Sequence, residues 1–97
     1  MPSYMMLVKY TDQGIRNIKE SPNRLEAFKR NLRTTGAELR DYFMVMGQYD
    51  AMVVLTAPND EVVTKLALSV CSLGNVRTET HRIYTEDEYR KIIGGLP

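Results

Sequence analysis

Two side chains in this 97-residue sequence stand out as candidates for a general base. His81 is the only histidine, and Asp50 follows the turn-like residues Gly47-Gln48-Tyr49. Imidazole and carboxylate groups are common proton acceptors in catalysis, so both residues are candidate catalytic groups. Asp50 also has a structural interpretation, because an aspartate at the end of a strand often accepts backbone N–H groups. The structural role is the commoner one, and it is the interpretation that we favour.

A second group of polar side chains could hold a small ligand without transforming it. Arg77 could bind a carboxylate through two parallel hydrogen bonds, although an exposed arginine on an edge strand is commoner. Tyr49 could offer its hydroxyl to a ligand, or pack across strands or at an interface. A predicted helix start at Ser21-Pro22 would attract anions. We therefore expect a small anionic or zwitterionic ligand, and the candidate ligand-binding residues are Tyr10, Thr11, Tyr49, Asp50 and Arg77.

The sequence predicts no metal site and no cofactor site. One cysteine, Cys71, and one histidine leave no set of ligands at the spacing of a zinc site. No glycine-rich phosphate loop or dinucleotide fingerprint is present. A single cysteine also excludes an internal disulfide framework and fits a reducing compartment.

Length and charge narrow the class of protein further. A chain of 97 residues is expected to form one domain, residues 1–97. Thirteen Lys and Arg residues balance twelve Asp and Glu residues, which argues against a nucleic-acid-binding protein. No apolar run reaches the roughly 18 residues of a membrane span, and the N-terminus does not resemble a secretion signal. We expect a cytoplasmic protein that binds neither nucleic acid nor a membrane.

The pattern of apolar residues predicts four strands, at residues 4–10, 38–46, 49–57 and 76–84. Residues 5–8 and 51–55 are apolar without a break, which is typical of strands covered on both faces. The last strand carries several charged residues, as suits the edge of a sheet. Gly47-Gln48 is expected to join the second and third strands as a two-residue type II′ turn, in which glycine takes the first position.

Two long helices and a short terminal helix are predicted between and after these strands. The first long helix starts at Ser21-Pro22, with Ser21 as its cap, and stops before Gly36. Its apolar face is formed by Leu25, Phe28 and Leu32, and Arg24 falls among the polar positions. The second starts at residues 58–60 and stops before Gly74. Thr85-Glu86-Asp87-Glu88 is a capping box for the terminal helix.

The order β-α-β-β-α-β with a terminal helix predicts a ferredoxin-like α+β fold. Right-handed connections place both long helices on one face of an antiparallel sheet with strand order 4-1-3-2. The two uninterrupted apolar strands then lie at the centre, and their other face is left bare. Exposing that many apolar side chains is costly, so we expect a second copy to cover them in a dimeric α+β barrel. The alternative is that the terminal helix folds back over the open face.

The segment Gly47-x-Tyr49-Asp50 resembles the signature of the GYD-domain family of small bacterial and archaeal proteins. The resemblance extends to residues 10–15, which contain Gly14, and to residues 72–78, which contain Gly74. It implies the same dimeric barrel and a structural role for Gly14, Gly47 and Gly74. The hairpin is also similar to one in the effector-binding domains of leucine-responsive (feast/famine) regulators.

Three functions are compatible with these patterns. The first, which we favour, is a homo-oligomeric module that binds or responds to a small metabolite. The second is a cofactor-independent enzyme, monooxygenase-like or isomerase-like, which rests on analogy of fold alone. The third is a structural or assembly protein without a ligand.

Overall fold

Two long helices lie on one face of a four-stranded sheet in the computed structural model, which describes residues 1–97. In chain order the elements are β1 Ser3–Tyr10, α1 Asp12–Arg16, a 3-10 turn Ile18–Glu20, α2 Ser21–Thr34, β2 Glu38–Met44, β3 Ala51–Thr56, α3 Asp60–Ser72, β4 Val76–Ile83 and α4 Glu86–Gly94. The spatial order is β2-β3-β1-β4, and every neighbouring pair is antiparallel. The predicted ferredoxin-like α+β fold is therefore confirmed.

Alternation along the central strands separates a buried face from an open one. On β1, Tyr4 and Met6 are 3% and 1% exposed and face the helices, whereas Met5 and Leu7 alternate with them on the other side of the sheet. Val53 and Leu55 of β3 continue the buried face. The core between sheet and helices is completed by Leu32, Ala37, Ala57, Val63 and Leu66.

Tyr4 ties the core to the start of α3. Its hydroxyl donates to the carboxylate of Asp60, the first residue of that helix. Burial, and then this hydrogen bond, raise the pKa of Tyr4 to about 12. The phenol therefore stays neutral and keeps its donor over the whole physiological range of pH.

The connection between β2 and β3 is longer than the two-residue type II′ turn that the sequence predicts, so that prediction is wrong. β2 ends at Met44 and β3 begins at Ala51. The Val45 N–H donates to the Asp50 carbonyl at 2.9 Å, which closes a four-residue loop containing Gly47. Gly47 has a φ of +125°, so a glycine-dependent reversal does occur here. The extra length arises because the Asp50 N–H bonds to the central strand β1, at 2.8 Å, before β3 begins.

The start of α2 also differs from the prediction, because Ser21 is not its cap. The 3-10 turn runs directly into the helix, and the Ser21 N–H donates to the Ile18 carbonyl. Glu20 holds the capping position, and its side chain makes no capping hydrogen bond to the backbone of the helix. Ser21 is instead the first helical residue, and its hydroxyl lies 3.4 Å from the Tyr10 hydroxyl.

The sheet face that points away from the helices is bare and apolar. Its apolar side chains are neighbours across β1, β2 and β3, and they are Met5, Leu7, Phe43, Met52 and Val54. Phe43 is 52% exposed, although a phenylalanine on a sheet is normally covered. No element of this chain closes the face.

The helix α4 does not fold back over the open face, so that alternative is wrong. Its capping box is present as predicted: the Glu88 N–H donates to Thr85, and the Glu88 carboxylate accepts from the Thr85 N–H. No residue of α4 is buried. Tyr89, Ile92 and Ile93 are 56%, 48% and 51% exposed, and with Leu96 they form one apolar stripe at helical spacing. The helix therefore projects from the body with its apolar side in water.

The chain is less compact than a typical folded monomer of its length. The radius of gyration is 14.6 Å, whereas a domain of this length has about 12.5 Å. The accessible surface is 6690 Å², about 1,000 Å² more than a folded monomer of this mass exposes. None of the helices is long and apolar enough to cross a membrane.

Candidate functional site

The structure brings several of the sequence-predicted residues together at one edge of the sheet. The Thr11 N–H donates to the Asn75 carbonyl at 3.0 Å, and the Thr11 hydroxyl donates to the Gly74 carbonyl at 2.6 Å. These bonds join the end of β1 to the loop before β4. At the other side of β1, the Tyr10 N–H donates to the Asp50 carboxylate at 2.9 Å. We call Tyr10, Thr11, Asp50, Gly74 and Asn75 the edge cluster.

Asp50 uses its polar groups to hold the backbone at this edge. Its carboxylate accepts from Tyr10, its N–H donates to the Val8 carbonyl, and its carbonyl accepts from Val45. Three segments of chain thus meet at a single residue. This geometry supports the structural interpretation of Asp50, because the carboxylate is already engaged with a backbone donor.

Gly14 permits the close packing of α1 on the loop before β4. It is buried, and a Cβ at this position would lie 2.1 Å from the Asn75 carbonyl oxygen, far inside contact distance. Gly74 ends the α3 region with a φ of +85°. Gly14 therefore allows the close approach of α1 to Asn75, and Gly74 allows the positive φ that the backbone adopts in the edge cluster.

Tyr49 and His81 meet on the open face of the sheet, away from the helices. The Tyr49 hydroxyl donates to Glu79 at 3.1 Å, and His81 Nε2 lies 2.5 Å from the other carboxylate oxygen of Glu79. The hydrogen bond from His81, and then that from Tyr49, lower the pKa of Glu79, while the bond to Glu79 raises that of Tyr49. Arg77 pairs with Lys9 at the edge of the sheet, lines a groove together with residues of α3, and has no carboxylate partner. His81 and Asp50 are thus not parts of one catalytic pair.

A cavity of about 160 Å³ lies between the sheet and the two long helices. All four strands and both helices contribute to its walls, and 13 of its 19 lining residues are hydrophobic, so its interior is apolar. The buried part of the wall is formed by Met6, Ala51, Val53, Leu66 and Val76. The lining residues with polar side chains stay at least partly exposed, which places them at the rim: Tyr10, Ser21, Arg24, Asn31, Ser69 and Asn75 among them.

Tyr10 and Asn75 connect the cavity to the edge cluster, because both residues belong to each. Of the five predicted ligand-binding residues, Tyr10 alone lines the cavity. Tyr42 of β2 also lines it, and burial, followed by the neighbouring Tyr10 side chain, raises the pKa of Tyr42. The Tyr42 phenol therefore stays neutral at the cavity wall and keeps its hydrogen-bond donor.

Arg24 is the rim residue that the sequence pattern misplaced. It lines the cavity instead of standing on the outer face of α2, and it donates to the Asn17 carbonyl at 2.9 Å and to the Gly14 carbonyl at 3.4 Å. Arg24 precedes Phe28 by one helical turn, and that spacing placed it beside the apolar face. No group of three or more His, Cys, Asp or Glu side chains is arranged to hold a metal ion.

Comparison with known proteins identifies both a family and a fold. The model of the GYD domain family matches residues 4–93. A relative from Thermus thermophilus, named glutamine synthetase and cystathionine beta-lyase binding protein, is 30% identical over 81 residues, which are 82% of this chain and 85% of that protein.

Two solved structures from Mycobacterium tuberculosis share the fold. One is a leucine response regulatory protein, with a TM-score of 0.65 over 87% of this chain. The other is a feast or famine regulatory protein complexed with L-methionine, with a TM-score of 0.66 over 88% of this chain. Each is 18% identical, and this chain spans 51% of the length of each. At that identity the likeness concerns the fold alone.

We expect Asp50→Ala to destabilise the fold and Asp50→Asn to do so less. The alanine variant leaves the partly buried Tyr10 N–H without its acceptor, which costs about 1–3 kcal/mol. The asparagine variant keeps a side-chain oxygen for the same bond. Urea unfolding measures both, with Asp87→Ala, an exposed aspartate of α4 without a side-chain hydrogen bond, as the matched control. Unfolding of both Asp50 variants at the wild-type midpoint would show that this carboxylate has no structural role.

Proposed function

We propose, from the premise that this chain belongs to the GYD domain family, that it is a homodimeric regulatory module that binds a small molecule. The cavity between α2, α3 and the sheet carries this proposal. An apolar cavity of about 150 Å³ accommodates a benzene-sized molecule. Apolar walls with a few polar groups at the rim are the usual composition of small-molecule sites.

The open face of the sheet supports self-association. Five apolar side chains lie on it, of which Phe43 is 52% exposed and the others are half-buried, and leaving one such side chain fully in water forfeits about 1.5–3 kcal/mol. The surface in excess of that of a typical monomer is close to the roughly 800 Å² that one partner contributes to a standard interface. A second copy of the chain would cover this area without further elements.

The charges on the open face are also suited to a second copy. Lys9 and Arg77 lie directly opposite each other on β1 and β4, which is unfavourable for like charges in isolation. Asp41 lies on β2, at the far side of the same face, and has no ionic partner. A two-fold axis parallel to the strands would place the acidic side of one copy over the basic side of the other.

Catalysis has less support than binding. Asp50 is engaged with the backbone, and His81 lies on the face opposite to the cavity. Neither candidate base is therefore among the residues that line the cavity.

Docking onto metabolic enzymes is a second candidate function. It is supported by the Thermus thermophilus relative, whose name describes a binding protein for two enzymes. The apolar stripe of α4, with Tyr89, Ile92 and Ile93 exposed, offers a surface for such a partner. An amphipathic helix that lays its apolar side into a groove is a common mode of recognition between proteins.

Filling the cavity should abolish the binding of small apolar molecules. Val70→Phe places a ring in the cavity from α3, so benzene and cyclohexanol should lose the chemical-shift changes that they cause in the wild-type protein. Leu68→Phe is the matched control, since Leu68 is on the same helix and 66% exposed. A native mass spectrum of the freshly purified protein tests in parallel for a retained ligand. Absence of binding by the wild-type protein at millimolar concentrations would disprove the proposal.

A charge on the open face should separate the two copies. Phe43→Glu would bury a carboxylate in the apolar part of the interface, and we expect the dimer to dissociate at least a hundredfold more readily. Sedimentation of wild type and variant over a range of micromolar concentrations measures this. Leu68→Glu, on the helical side, should leave the association unchanged. A wild-type protein that sediments as a monomer throughout would contradict the homodimer.

Docking should depend on the apolar stripe of α4. The probes are purified glutamine synthetase and cystathionine beta-lyase from the organism that supplies this chain. The double variant Ile92→Ser/Ile93→Ser should weaken binding at least tenfold, because it removes two exposed side chains of the stripe. Lys91→Ser, between the same turns, should not. Equal binding by both variants would exclude α4 as the docking surface.

A further inference from the structure

We infer that the ligand of the cavity is a small apolar monocarboxylate whose carboxylate is held by Arg24. The inference rests on the proposed function, since it assigns a chemical class to the same site. It is carried by three observations: the position of Arg24 at the rim, its lack of an ionic partner, and the absence of acidic side chains from the cavity wall.

Arg24 is the one charged residue among those that line the cavity. It is half-buried, and two of its N–H groups are directed to the carbonyls of Asn17 and Gly14. These two bonds fix the plane of the guanidinium group at the start of α2. Of its five N–H donors, those not used in the two bonds remain available to a ligand.

No carboxylate of the protein neutralises Arg24. The ion pairs of the chain involve Lys29, Arg40, Lys65, His81, Arg82 and Arg90. A partly buried arginine without a counter-ion, next to an apolar cavity, is suited to a ligand that brings its own negative charge. The forked geometry of guanidinium favours a carboxylate over a neutral acceptor.

The cavity wall contains no aspartate or glutamate. The ammonium group of an amino acid would therefore leave water without a charged partner, at a cost that the rim amides and hydroxyls repay only in part. The site should consequently reject the zwitterion and accept the corresponding simple acid. This narrows the anionic or zwitterionic ligand expected from the sequence to the anionic class.

The volume limits the apolar part of the ligand. About 160 Å³ suffices for one six-membered ring or a branched chain of similar size, with the carboxylate at the rim beside Arg24. Phenylacetate and 3-phenylpropanoate are thus suitable probes. Phenylacetamide matches phenylacetate in shape without the charge, and L-phenylalanine matches 3-phenylpropanoate with an added ammonium group.

Calorimetric titration of the full chain with these four compounds and benzene tests the inference. Wild-type protein should bind phenylacetate at least tenfold more tightly than phenylacetamide, and 3-phenylpropanoate at least tenfold more tightly than L-phenylalanine. In Arg24→Gln the preference for phenylacetate over phenylacetamide should fall to about one. In Arg30→Gln, an exposed position on the same helix, the preference should be unchanged.

The ratio of the two affinities separates a ligand contact from a structural role. If Arg24 only held α1 to α2, Arg24→Gln would weaken phenylacetate and phenylacetamide equally, and the inference would be overturned. If Arg24→Gln fails to fold, Arg24→Lys keeps the charge without the fork, and it should retain a reduced preference for the acid. Loss of stability in both variants leaves the wild-type preferences as the deciding measurement.

The outcomes also distinguish this inference from the proposed function. Equal binding of phenylacetate and phenylacetamide by the wild-type protein would overturn the chemical class and leave small-molecule binding in place. Equal binding of L-phenylalanine and 3-phenylpropanoate would do the same. Failure of all five compounds, benzene included, would overturn both.

Discussion

The structure depends on the fact that one sheet carries helices on only one of its faces. The right-handed connections between strands place α2 and α3 on the same side of the sheet. The apolar residues of β1 and β3 are therefore divided between a face that the helices cover and a face that they leave open. Thirteen of 97 residues are buried, which is a small core for a chain of this length. Part of the remaining apolar surface lies on the open face and along α4, where another molecule can remove it from water. Self-association and docking are therefore two ways in which this apolar surface could be covered.

The sequence predicted the architecture well, because the hydrophobic periodicity of each segment and the order of the segments along the chain determine it. Uninterrupted apolar runs identified β1 and β3 as the central pair, and the capping box at Thr85 identified the start of α4. Both features are local or depend on neighbours along the chain, which is where sequence patterns carry most information. The homodimer was also deduced from these runs, and it stays a prediction.

The errors arose where backbone groups at a turn or at a helix start find partners that the local pattern does not indicate. The turn around Gly47 is longer than predicted because Asp50 bonds to β1, a strand about 40 residues earlier in the chain. Ser21 does not cap α2, since a 3-10 turn runs directly into the helix and makes Ser21 its first helical residue. The bonds between Asp50 and β1 exist only after the sheet has assembled, so no local pattern reports them.

The candidate site was predicted in part, for a related reason. Chain direction alone places the ends of β1 and α3 and the β2–β3 loop at one edge, and the edge cluster lies there. The side chains that make the site chemically distinctive were not deducible in the same way. Helical spacing assigned Arg24 to the polar side of α2. That spacing gives no information on the separation of α2 and α3, and therefore none on a cavity between them.

The cavity and the open face are two sides of the same strands. Val8 and Tyr10 of β1 line the cavity, and Lys9 between them lies on the open face; Thr78 and Arg77 of β4 are divided in the same way. A ligand that moves either strand must therefore also move residues of the open face. If the dimer forms there, ligand binding and association are linked, and each must change the affinity of the other by the same factor. A single layer of sheet is thus sufficient for a regulatory module, because no separate element is needed to connect the two surfaces.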